Sequence, residues 1–289
     1  MDLSVSIVSY NGKELARDCL NSIFSAQGGS ASGGKNTAGI EFEVFVVDNG
    51  SVDGTPEMIR AEFPQVRLIA NKDNLGFAKA NNLAIKESQG DFVLLLNQDM
   101  RALSGTMEGM VKFMRAHPEA GIAGCRLIDE KGETVRHVRR FPGVWGQAAI
   151  ILKLPHLFPR IIHKYLADFD YSKPGAQEVD SVRGSFFCIR REVLEKIGGL
   201  DERYFFWFEE VDYCRQAKLA GFKVFYTGDV QCIDFVGQSV KKLNHLKRQK
   251  MFTESMVKYF KKWHPGWRAG LIAALRPVGL GLSWLADKF

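Results

Sequence analysis

Apolar and polar positions alternate in blocks along the first hundred residues. Leu3–Ser9 (LSVSIVS) predicts a short strand ending at the turn Tyr10-Asn11-Gly12. From Glu14 to Phe24, the residues Leu15, Cys19, Leu20, Ile23 and Phe24 recur at helical spacing. Gly28 to Gly39 (GGSASGGKNTAG) has no apolar period and predicts a loop of no fixed structure. Phe42–Val47, Val66–Ala70 and Asp91–Leu96 predict three further strands. Between them fall a helix with Thr55 as N-cap and Pro56 at its first position, and a helix over Phe77–Ser88. Such alternation predicts βαβ units, a mainly parallel central sheet and an α/β fold with flanking helices. Phe92–Leu96 (FVLLL) is unbroken apolar sequence, as in a parallel strand buried on both faces. It runs straight into Asn97-Gln98-Asp99.

The later pattern predicts a helix over Ser104–His117, a strand over Gly121–Leu127, a tight turn at Asp129–Gly132 and an extended segment at Thr134–Arg140. Residues 141–176 carry no clear period. Asp180–Arg190 reads as a strand with Gly184 inside it, followed by a short helix at Glu192–Lys196. A helix over Val211–Gly221 and a strand over Lys223–Thr227 complete this part. From Ser239 to Trp263 apolar residues recur among lysines, which predicts one basic amphipathic helix or two. The apolar stretches Leu271–Leu275 and Val278–Leu282 follow, interrupted at Arg276-Pro277.

Composition changes this picture little. The 289 residues are 46% hydrophobic and 25% charged, as in ordinary globular chains. No uninterrupted apolar run approaches the roughly 20 residues that span a bilayer, and no signal peptide is expected at the N-terminus. The five cysteines are scattered without a CxxC pair, which disfavours a zinc site and fits a reducing compartment. Charge says more. Between Val240 and Arg268 stand nine Lys and Arg against Glu254, a local balance of +8, so the rest of the chain carries −2 of the net +6. Basicity confined to the tail argues against a nucleic-acid-binding protein.

Two polar clusters carry candidate chemistry. In open α/β sheets ligands gather at the carboxyl ends of the strands, where Asp48-Asn49 and Asn97-Gln98-Asp99 fall. A carboxylate there suits a hard divalent cation such as Mg²⁺ or Mn²⁺; capping of the next turn is the alternative for Asp99. The second cluster is LDERYFFWFEEVDYCR, residues 200–215. Glu209, Glu210 and Asp212 follow an aromatic group, and carboxylates so crowded against apolar rings suit a general base. Acidic residues favoured by a helix N-terminus are the other account. No GxGxxG follows the first strand and no P-loop is present.

Taken together, VSIVSYN, FVVDNGSVDGT, NLGFAKANN, LLLNQD, GSFFCIRREVLEKIGGLDERYFFWFEEVDYCRQAKLAGFKV and FVGQSV resemble the inverting family 2 glycosyltransferases, and the bacterial rhamnosyltransferase-like branch in particular. The resemblance spans residue 3 to about 240 and implies a GT-A fold. It implies donor-nucleotide contacts at Asp48, Ser9 and Asn49, with Asn74, Gly76 and Asn82 shaping the donor pocket. Asn97, Gln98 and Asp99 fall on the family's DXD-type triplet, with Asp99 the metal ligand. Gly184 and Trp207 belong beside the sugar or acceptor, and Asp212 is assigned to the same region. Glu210 takes the catalytic-base position, with Glu209 beside it. Three positions depart from the usual pattern. Asn97 replaces an Asp, Glu210 replaces the commoner Asp, and Asp234 stands in the stretch where relatives carry a metal-binding His.

The resemblance implies a nucleoside-diphosphate sugar donor, dTDP-L-rhamnose first and a UDP-hexose second, with Mg²⁺ or Mn²⁺ as cofactor. A lipid-linked or polysaccharide acceptor at the inner face of the cell membrane is the implied partner. A sugar-nucleotide-binding module without turnover is the alternative, motivated by Glu210 and Asp234. Residues 1–239 would form the catalytic domain and 240–289 a helical extension, lying on an anionic membrane surface or packed on the protein itself.

Overall fold

A computed structural model describes residues 1–26, 39–156, 158, 169–171, 173–235 and 244–288. The loop expected at 28–39 therefore lies almost wholly outside the described residues, as does most of the FVGQSV stretch.

The N-terminal half follows the predicted alternation. Strands β1 (Leu3–Ser9), β2 (Phe42–Asp48), β3 (Arg67–Ala70) and β4 (Phe92–Asn97) alternate with helices α1 (Lys13–Ala26), α2 (Thr55–Glu62) and α3 (Phe77–Glu87). One small correction falls at α2. Thr55 is its first residue, and the N-cap is Gly54, in a left-handed conformation at φ 81°. Thr55 instead gives its hydroxyl and amide hydrogens to Asp53, so the acidic side chain does the capping work expected of the threonine.

The strands pair in the order β3-β2-β1-β4, all parallel. Residues of β4 bury alternately on the two faces. Phe92, Leu94 and Leu96 join one core with α1, α2 and α4 (Thr106–Ala116), whereas Val93 and Leu95 join the other. All five are at most 2% exposed. A helix layer on each face is why an unbroken apolar run was needed here; each such side chain contributes roughly 1.5–3 kcal/mol on burial.

Beyond β4 the sheet changes character. Strand β8 (Phe186–Arg190) is antiparallel to β4 and to β6 (Ala120–Ile128), and β6 is parallel to β9 (Lys223–Asp234). The short strands β5 (Met100–Ala102) and β7 (Ala176–Glu178) add to β9 antiparallel. The strand expected over Asp180–Arg190 is therefore shorter. Its first half leaves the sheet, and Ser181 there forms an isolated bridge with Arg139. Helix α5 is Val144–Ile151, α6 is Arg191–Ile197 and α7 is Glu209–Leu219.

The tail forms two helices, α8 (His245–Trp263) and α9 (Gly266–Ala286). Met256, Tyr259 and Phe260 of α8 share one apolar cluster with Tyr204, Phe208 and Val211. Thus α8 completes a core of the sheet domain. Helix α9 runs unbroken through Pro277, where an interruption was expected. The proline removes one helical hydrogen bond, but the turn is held by packing. Gly279 sits so close to Ile151 that a Cβ would lie 2.7 Å from that side chain, and Arg276 pairs with Glu254 of α8 at 2.7 Å.

Candidate active site

Register brings the strand ends level. Ser9 pairs with Asp48 across β1 and β2, and Val8 pairs with Asn97 across β1 and β4. Polar residues following each strand thus collect along one sheet edge. Because β8 runs antiparallel to β4, Arg183, Gly184 and Ser185 arrive at the same edge just before β8 begins. Asp234 joins them at the end of β9, opposite Met100. A cavity of about 370 Å³ opens there, and Asn49, Asn74, Gly76, Asn97, Gln98, Asp99, Gly184, Trp207, Glu209, Glu210 and Asp234 all line it.

One side of the cavity is built by the donor-type residues. Asn49 donates through Nδ2 to the Gly76 carbonyl at 3.1 Å, and Asn74 Oδ1 accepts from the Gly76 amide at 2.9 Å. Gly76 has φ 81°, and a Cβ would meet the Phe205 carbonyl oxygen at 2.4 Å. Only glycine serves at this position. Ser9 and Asp48 do not themselves line the cavity. The Ser9 hydroxyl donates to Gln98 Oε1 at 2.7 Å and so holds that side chain in place. Asp48 is 1% exposed; Oδ2 accepts from the Ser51 amide at 2.8 Å, and Oδ1 has no protein partner.

Two further expected site residues, Asn82 and Asp212, are also absent from the cavity lining. Asn82 exchanges hydrogen bonds with the Leu200 backbone at 2.8 and 2.9 Å and donates to Glu202 at 3.0 Å. It faces the neighbouring loop, one helical turn round from the cavity, and pins that loop to α3. Asp212 is fully buried under the aromatic loop. It accepts from Lys262 and Gln216, both at 2.7 Å, from Tyr204 at 3.2 Å and from Trp263 Nε1. Three positions after Glu209 on one helix, it points into the protein as a brace for α8, not toward a sugar.

Glu209 and Glu210 occupy the first turn of α7, which the chain enters with Trp207 and Phe208 both left-handed at φ 66° and 72°. Conformations of this kind cost non-glycine residues about 1–3 kcal/mol each and cluster at functional sites. Packing of Phe208 on Phe252 and Tyr259, with ring centroids 5.4 and 5.5 Å apart, holds the turn. Both glutamates are nearly buried. Burial pushes the Glu209 carboxyl well above the usual range, and the charge of Glu210 pushes it further. Glu210 Oε1 accepts from Arg139 Nη1 at 3.1 Å, whereas Oε2 of each glutamate has no protein partner.

For a divalent cation the donor set is Asp99 and Asp234, 3% and 2% exposed. Asp234 Oδ2 also accepts from Arg183 at 3.1 Å and from Ser185 at 3.4 Å. Among the described residues no group of three or more His, Cys, Asp and Glu gathers. Two carboxylates in one cleft are a donor set that could hold a hard divalent ion such as Mg²⁺, which accepts few protein ligands. The sequence reading missed Arg139, Arg183 and Lys247, which also line the cavity. Arg183 adjoins a motif glycine and could have been flagged; nothing in the basic stretch around Arg139 hints at its partner.

The family described as glycosyl transferase family 2 matches residues 4–198, and the chain belongs to it, within the rhamnosyltransferase-like branch. It is 28% identical over 249 residues to N-acetylglucosaminyl-diphospho-decaprenol L-rhamnosyltransferase of Mycobacterium tuberculosis, covering 81% of this chain and 79% of that protein. Rhamnosyltransferase WbbL of Escherichia coli is 23% identical over 174 residues, covering 55% of this chain and 61% of that one. Among solved structures, the mannosyltransferase PcManGT of Pyrobaculum calidifontis in complex with GDP-Man and Mn²⁺ superposes with TM-score 0.60. It has 20% identity and covers 98% of this chain and 73% of that one. The fold is thus GT-A.

Proposed function

We propose that the chain is an inverting glycosyltransferase that transfers L-rhamnose from dTDP-L-rhamnose, or failing that a hexose from UDP, to a hydroxyl of a lipid-linked or polysaccharide acceptor. The observation that carries this reading is one cavity holding both Asp99 with Asp234 and the partnerless Oε2 of Glu210. Asp48 lies behind Asn49, which lines the cavity, and its Oδ1 has no protein partner; these support a hydrogen bond from the pyrimidine N3–H once a donor is bound. The lipid-linked acceptor rests on the likeness to the mycobacterial N-acetylglucosaminyl-diphospho-decaprenol L-rhamnosyltransferase.

In this mechanism Glu210 Oε2 takes the proton of the acceptor hydroxyl. The oxygen lone pair attacks the anomeric carbon, and the bond from that carbon to the diphosphate breaks on the opposite face. Gly184 leaves the approach open, since even a Cβ there would lie 3.4 Å from that of Glu210. Asp99 and Asp234 would hold the cation, which when bound supplies charge neutralisation of the departing diphosphate. The test is transfer from dTDP-L-rhamnose and from UDP-glucose to N-acetylglucosaminyl-diphospho-decaprenol, with and without Mn²⁺. Product with inverted anomeric configuration is expected; turnover of neither donor, with nucleotide binding intact, would favour the non-catalytic module.

We further propose that the protein rests on the inner face of the cell membrane through α9, with α8 part of the catalytic unit. By length and composition α9 could cross a bilayer, with mean hydropathy 1.4 over its most apolar 18 residues, of which 22% are buried. Yet Ala269, Ile272, Gly279 and Ser283 pack inward on the protein, which favours a helix lying in the plane. Its outward face carries Trp267, Val278, Leu282, Trp284 and Leu285, all exposed, and between Arg268 and Asp287 the one charged residue, Arg276, is paired with Glu254. Such a face suits the headgroup boundary.

A further inference from the structure

Glu209 and Glu210 are adjacent and buried. Arg139 hydrogen-bonds to one of the two. It approaches from the extended segment after β6, and its Nη1 donates to Glu210 Oε1 at 3.1 Å. Its backbone is anchored by exchanged hydrogen bonds with Ser181 at 3.1 and 3.2 Å, and the Ser181 hydroxyl adds a third to the Arg139 carbonyl at 3.1 Å. The guanidinium is thus presented from a fixed strand-like segment. Among the described residues no ion pair reaches Glu209; burial and the charge of Glu210 raise its carboxyl, and the charge of Arg139 offsets this only in part. Other charged or titratable groups around the pair are Cys214 further along α7, Lys247 of α8, Asp99, and Asp234 with its partner Arg183.

We propose that Arg139 is a positioning residue that fixes the Glu210 side chain and, by capping Oε1, leaves Oε2 turned to the cavity as the atom that receives the acceptor proton. This rests on Glu210 being the base.

The test compares wild type, Arg139→Gln, Arg139→Lys and Glu210→Gln. Transfer from dTDP-L-rhamnose to N-acetylglucosaminyl-diphospho-decaprenol is measured as kcat and as the KM for donor. In R139Q kcat should fall by about tenfold or more with the donor KM little changed, and R139K should recover most of the rate. A readout independent of turnover is the carboxyl ¹³C spectrum of glutamate-labelled protein, in which the resonance absent from E210Q should change position in R139Q and less so in R139K. Wild-type kcat in R139Q, or a loss that R139K does not recover with that resonance unmoved, would overturn the role of Arg139. Full rate in E210Q would instead overturn the base assignment, whatever R139Q shows.

Discussion

Asp212→Asn separates a brace from a base. The Asp212 carboxylate is fully buried and receives hydrogen bonds from Lys262, Gln216, Tyr204 and Trp263, two of which come from the end of α8. The asparagine keeps the shape but offers one acceptor oxygen in place of two, and its amide hydrogens face donors. Hydrogen bonds to a charged group are worth about 1.5–3 kcal/mol each, and breaking a buried pair costs about 3–5 kcal/mol because a charge is left behind. Lys262 retains Asp201 at 2.9 Å, so its charge is not stranded and the lower end applies: about 3 kcal/mol. Against the usual 5–15 kcal/mol of total stability this is a large fraction. Urea unfolding followed by tryptophan fluorescence should show the midpoint fall, while the transfer rate of the protein that remains folded, measured at low temperature, stays within a few-fold of wild type. Unchanged stability with a rate lost by two orders of magnitude would refute the brace and make Asp212 the proton acceptor.

Four further outcomes follow from the same geometry. Glu210→Gln should lower kcat by about 10²–10⁴-fold with donor affinity little changed, read by transfer at saturating donor. Glu209→Gln should be milder in rate and should change the pH dependence of stability. The unfolded carboxyl ionises above its ordinary value of 4.5 while the native one stays protonated, so wild type loses stability as pH rises through that window and the variant does not, as urea midpoints at pH 5 and 8 would show. Asp99→Ala should remove the Mn²⁺ dependence of donor binding in calorimetry while the thermal midpoint of the unliganded protein moves little. Leu282→Glu, on the exposed face of α9, should release the protein from anionic vesicles in a flotation assay with its circular dichroism unchanged; retention on the vesicles would rule out this face as the contact.

Much of the site was legible because the residues that make it follow strand ends, and strand ends are visible as apolar runs that stop. The run Phe92–Leu96 predicted a strand buried on both faces, and the placement of Asn97, Gln98 and Asp99 at the cavity follows from that one element. Gly76 was marked by the resemblance of the NLGFAKANN stretch, and the crowded Glu209-Glu210 by their residue types. What periodicity reports is how each side chain is buried by its own element's geometry; it carries nothing on which element lies across from it. The reversal of β8, which delivers Arg183 and Gly184 to the same edge as Asp99, was therefore decided by sheet pairing. So was the meeting of Arg139 with Glu210, 71 residues apart in the chain. Asp212 and Glu210 look equivalent in sequence, yet two positions along a helix turn them roughly 200° apart, one into the core and one into the cavity. In the tail, Pro277 read as a break because proline costs a helix a hydrogen bond, and that local cost was outweighed by contacts to α5 and α8 that only the folded chain supplies.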